Sequence, residues 1–129
     1  MMTVATTGKT LGTTEGIAVE DLPIDVEAIS SRTESVLAMK MGTSTRKDMD
    51  GVVPTIVGHL NLLLCEDLGV DEDQEVRGLV RKGYTLIDDK NRPTGRTPSF
   101  GVFLYLRDIA LLTRRLLWIY TERNGLGAP

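Results

Sequence analysis

Apolar and polar positions along the chain alternate with helical spacing in four segments, and no segment shows the period of two that marks a strand. The most strongly marked segment is Thr97 to Asn124, TPSFGVFLYLRDIALLTRRLLWIYTERN. Pro98 suits a first turn, Ser99 is a candidate N-cap, and Asn124-Gly125 is a stop signal. At 3.6 residues per turn, Val102, Tyr105, Leu106, Ile109, Leu112, Leu116, Leu117 and Tyr120 share one arc, broad enough for a core face. Arg107, Asp108, Arg114, Arg115 and Glu122 fall on the opposite side. A second apolar line runs among those charges: Phe100, Leu104, Leu111 and Trp118, spaced four, seven and seven residues apart. A helix that buries one face has no need of that line, so either another segment of the chain or a partner is expected to cover it.

The upstream segments read as cover for this helix. A first helix is expected from about Pro23 to Met41, with Val26, Ile29, Thr33, Val36, Leu37 and Met41 on one face. A second is expected from Gly51 to Leu68, capped by Asp50, with Pro54 tolerated in its first turn. Its core stripe is Val53, Ile56, Val57, Leu60, Leu63 and Leu64, and Gly69 ends it in a left-handed conformation. A third starts at Asp71, with Gln74 at capping-box spacing, and turns Val76, Leu79, Val80, Tyr84 and Ile87 inward. Gly83 lies in the middle of that inner side. An interior glycine costs about 1 kcal/mol against alanine, so close helix packing is expected there. Residues 88–98, DDKNRPTGRTP, form the long interior loop. Short connections then give an all-α fold, an antiparallel bundle of about four helices over residues 21–129, with a disordered tail at residues 1–20 that is rich in Thr and Gly.

Composition narrows the setting. A chain of 129 residues with 41% apolar and 26% charged residues supports one globular domain with a real core. The uncharged run that opens the last helix stops at Arg107, well short of the ~20 residues a membrane helix needs. The first residues lack the apolar stretch of a secretory signal, so a cytoplasmic protein is expected. The single cysteine, Cys65, excludes an intramolecular disulfide. Net charge is −3, but unevenly placed: residues 1–76 hold five basic against fourteen acidic side chains, and residues 77–129 hold ten against four. Such polarity either pairs within the fold or steers a partner.

Chemistry-bearing constellations are sparse. His59 is the one histidine; with Glu66 it offers a candidate general base, but no nucleophile, second histidine or cysteine pair accompanies it. Cys65 adjoins Glu66 and Asp67, which disfavour a reactive thiolate. Gly8-Lys9-Thr10 has the end of a phosphate loop without its first glycine, strand or helix. The acidic cluster from Glu66 to Asp73 lacks calcium-loop spacing and suits helix capping. No catalytic residue, metal or cofactor is therefore expected. Lys90, Arg92 and Arg96 in the long loop, with Arg77, Arg81, Lys82, Arg107, Arg114 and Arg115, are the candidate phosphate contacts of an alternative, nucleic-acid-binding reading.

Three stretches, Gly58-His59-Leu60-Asn61-Leu62-Leu63-Leu64, Glu75-Val76-Arg77, and Leu111-Leu112-Thr113-Arg114-Arg115-Leu116-Leu117 with Tyr120, carry a resemblance. Over roughly residues 24–124 the chain resembles an uncharacterised family of small helical actinobacterial proteins, loosely labelled with natural-product biosynthesis. The resemblance implies an all-α bacterial protein and supplies no catalytic residue. The expectation is a non-catalytic interaction, regulatory or accessory module that self-associates or binds a protein partner through Phe100, Leu104, Arg107, Leu111, Arg114, Arg115 and Trp118. The alternatives are a nucleic-acid-binding regulator, using the basic surface over residues 77–115, and a small accessory enzyme of bacterial secondary metabolism.

Overall fold

The computed structural model describes residues 24–126 and forms an all-α antiparallel bundle of four helices, with no strand among the described residues. The tail expected at residues 1–20 lies outside them. The helices are α1 (Val26–Leu37), α2 (Arg46–Leu64), α3 (Gln74–Ile87) and α4 (Ser99–Arg123). A single 3₁₀ turn, Asp89–Asn91, interrupts the loop before α4.

Local chemistry fixes the helix starts, and all four differ from the sequence expectation, α1 starting at Val26 rather than near Pro23. Asp25 caps α1, its carboxylate accepting from the Ala28 amide at 3.0 Å. The start of α2 lies five residues earlier than Asp50 suggested. Thr45 and Asp48 form a reciprocal capping box there: the Asp48 amide donates to the Thr45 hydroxyl at 3.0 Å, and the Thr45 amide donates to the Asp48 carboxylate at 3.2 Å. Pro54 consequently sits inside the helix rather than in its first turn. Asp50 is not a cap but an ion-pair partner of Arg46 one turn back, at 2.8 Å. In α3 the cap is Asp73, not Asp71, with its carboxylate accepting from the Glu75 and Val76 amides. Ser99 is the first residue of α4 and makes no side-chain cap; Pro98 holds the cap position.

Burial follows the predicted periodicity on most faces. Helix α4 packs against all three other helices, most extensively α1 and α2. Its inner face buries Val102, Leu106, Ile109, Leu112, Leu116, Leu117 and Tyr120, and also Ala110, Thr113 and Ile119. Ile56, Leu60 and Leu63 of α2 complete the centre of the core with Ile29 of α1 and Val76 of α3. At Gly83 α3 lies close against α2. A Cβ there would stand 2.9 Å from Leu64 Cδ2, so the small residue admits α2 against α3. Tyr84, expected inside, is instead more than half exposed and donates its hydroxyl to the Leu64 carbonyl at 3.3 Å.

The C-terminal end of α4 is clamped to the α2–α3 connection. The Arg123 guanidinium donates to the Asp67 carbonyl, and pairs with the Asp67 carboxylate at 3.4 Å and the Glu72 carboxylate at 3.3 Å. It lies against Gly69, whose φ of +89° is a left-handed conformation that a side chain would strain. The acidic connection and basic α4 thus meet directly, one part of the charge polarity being spent within the fold.

Candidate interaction face on the C-terminal helix

The line Phe100, Leu104, Leu111 and Trp118 lies on the side of α4 away from the core. Those four side chains are 58%, 44%, 37% and 54% exposed, among the most exposed large apolar groups of the described residues. No described segment covers them. At 3.6 residues per turn they share an arc of about 40° and extend over about 27 Å of helix. Aromatic side chains bring about 150–250 Å² each, so the half-exposed line offers on the order of 400 Å² of apolar surface, within the ~300–600 Å² of the largest patch on a typical monomer, which is often functional.

Charged residues flank the line on both sides. Arg107 and Arg114 border one edge, Asp108 and Arg115 the other. Arg114 reaches across to Glu34 of α1 at 3.7 Å, and Arg115 to Glu75 of α3 at 3.2 Å. The Arg115 guanidinium also lies over the Trp118 ring, 5.2 Å from its centre, which is within cation–π range. Arg107 and Asp108 make no ion pair among the described residues. Leu111, Arg114, Arg115 and Trp118 together line a shallow, open depression of about 520 Å³. At the other end, Phe100 stacks on half-buried Phe103 with ring centres 6.4 Å apart.

The basic loop is engaged in building its own conformation. Arg92 donates to the Ile87 carbonyl at 2.8 Å and pairs with Asp89 at 3.4 Å. Arg46 of α2 reaches into the loop and donates to the Thr97 and Thr94 carbonyls at 2.6 and 2.9 Å. Lys90 and Arg96 are exposed and make no ion pair among the described residues. A smaller recess of about 270 Å³ between loop and α2 is lined by Asp50, Val53, Pro54, Pro93, Thr94 and Gly95. Its single carboxylate is the one paired with Arg46.

Among the described residues no hydrogen bond or ion pair joins His59 to Glu66, the candidate general-base pair. The charges that act on His59 come from α1: burial lowers its pKa, Arg32 lowers it further, and Asp25 opposes both. Glu66 lies beyond the end of α2, where burial first and the Glu66 charge second push up the Tyr120 phenol. Cys65 is exposed at the C-cap of α2. No group of three or more His, Cys, Asp or Glu side chains is placed to hold a metal ion among the described residues, and no described helix is long and apolar enough to cross a membrane. Comparison with protein-family models, with curated proteins and with solved structures gives no match.

Proposed function

We propose that the protein is a non-catalytic helical module that acts by docking its α4 face onto another protein surface. The observation that carries this reading is the exposed line of Phe100, Leu104, Leu111 and Trp118 set within a charged rim. Tryptophan and arginine are enriched among the residues that dominate binding energy, and here Arg115 stacks on Trp118 at the edge of a shallow depression. An apolar centre with a polar rim is the ordinary anatomy of a protein interface.

The test is Trp118→Glu. This variant is expected to keep the wild-type circular dichroism, and the urea midpoint at a concentration where the wild type is monomeric, and to lose association, read as molar mass in solution and as capture by the tagged chain. An unfolded Trp118→Glu variant would instead make the tryptophan a fold residue and remove the proposal. Nucleic-acid binding has less support, because Arg92 is turned to the loop's own Ile87 carbonyl and to Asp89.

A further inference from the structure

We infer that the occupant of the α4 face is a second copy of this chain, docked antiparallel with Leu111 on the two-fold axis. This inference rests on the docking reading above and gives it a partner and a geometry. A two-fold interface is isologous: if residue i meets residue j, then j meets i. Three of the four residues of the outer line of α4 have the symmetry that such a contact requires; the fourth, Phe100, falls opposite Glu122 of the second copy, at the end of the contact. Leu104 and Trp118 stand seven residues either side of Leu111, so an antiparallel pair centred there sets Leu111 on Leu111 and Leu104 on Trp118 twice.

The charged edges fit the same register. On one edge, Asp108 of each copy comes opposite Arg115 of the other, giving two pairs across the axis. Asp108 has no ion-pair partner among the described residues, whereas Arg115 has donors to spare beyond its bond to Glu75. On the other edge, Arg107 of each copy comes beside Arg114 of the second, whose own partner Glu34 supplies the counter-charge. A parallel pair would set Arg114 beside Arg115 and Arg107 beside Asp108, the same number of like and opposite pairs, so the Leu104–Trp118 match and the helix dipoles select the antiparallel arrangement. Antiparallel helices also oppose their dipoles favourably. A standard interface buries about 800 Å² per partner, and the line supplies on the order of half of that as its apolar centre, with the arginine stems and Phe103 left to form the rim.

The experiment uses the full chain in three steps. The molar mass is measured over a dilution series for the wild type and for Trp118→Glu. Leu111→Cys is then tested for an intermolecular disulfide under mild oxidation in a Cys65→Ser background, since only a residue on the axis lies within reach of itself. Finally, Asp108→Arg and Arg115→Asp are compared singly and together. The expected result is a reversible dimer that Trp118→Glu abolishes, ready cross-linking of Leu111→Cys, and roughly tenfold or greater weakening by each charge reversal that the double reversal restores. A monomer at every concentration overturns the second copy as occupant, and the docking reading then stands only if Trp118→Glu abolishes capture of a different protein. A dimer untouched by Trp118→Glu overturns both. A dimer lost in Trp118→Glu, in which the double reversal gives no rescue, keeps the face and overturns the antiparallel geometry, whether or not Leu111→Cys cross-links.

Discussion

The two sides of α4 are built from the same residue types and meet opposite surroundings. Leu106, Ile109 and Leu116 are essentially inaccessible, while Leu104 and Leu111, a few positions away on the same helix, stay exposed between arginines. Hydrophobicity alone therefore does not decide burial here; the angle at which α1, α2 and α3 approach does. Those three helices cover one broad side of α4, and Arg114 and Arg115 pair with Glu34 and Glu75 at the boundaries of the covered part. Among the described residues the outer line is left uncovered.

Substitutions can break this contrast, beginning with the largest effect. Leu116→Ala on the inner side is expected to cost about 2–5 kcal/mol by urea denaturation, the usual loss for a buried leucine replaced by alanine. If it costs no more than Leu111→Ala in the same assay, the two sides are not different in the way described. Gly69→Ala tests the clamp at the end of α4. Its φ of +89° and the close Arg123 guanidinium predict a loss of about 1–2 kcal/mol, and an unchanged denaturation midpoint would contradict the clamp. Thr33→Val works in the opposite direction. Among the described residues the buried Thr33 hydroxyl has no hydrogen-bond partner, whereas that of Thr113 donates to the Ile109 carbonyl at 2.7 Å. Replacing the unpartnered hydroxyl should therefore stabilise the protein by about 1 kcal/mol, and Thr113→Val should not.

The smallest expected effects lie on the surface. Leu104→Gln, read at a concentration where the chain is monomeric, should change the stability by less than about 0.5 kcal/mol. A larger loss would mean that the outer line is part of the fold. The pH dependence is smaller still. Burial and Arg32 hold the His59 pKa below its ordinary value, so the folded state favours the neutral ring. That contribution is complete above the unfolded-state pKa of about 6.5 and is lost as the pH falls through the lower, folded-state value. Wild-type stability should thus decline slightly as the pH is lowered through that window, and His59→Gln should flatten the decline.

Much of this architecture was legible in the sequence because helical periodicity records burial directly. The long helix, its inner arc, the second apolar line and the tight contact at Gly83 all followed from spacing. What spacing could not give was the chemistry of helix starts. Thr45 and Asp48 form a capping box within a stretch that reads as a turn, because Gly42, Thr43 and Ser44 precede it and Asp replaces the usual Glu or Gln. Displacing that start hid Met49, which is buried, from the expected core. Tyr84 has the spacing of an inner residue, yet a tyrosine can satisfy its hydroxyl on the neighbouring Leu64 carbonyl while keeping its ring half in water. The candidate pair of His59 with Glu66 assumed a helical spacing that does not continue as far as Glu66, because α2 ends at Leu64.

The central claim is that the outer side of α4 is a docking surface, and the most direct measurement is the molar mass of the full chain by light scattering across a dilution series, beside Trp118→Glu. The account predicts a wild-type mass that rises with concentration toward twice the 14.2 kDa of one chain, and a folded variant that stays at 14.2 kDa throughout. Equal masses for wild type and variant at every concentration, together with no difference in what the two capture, would contradict it.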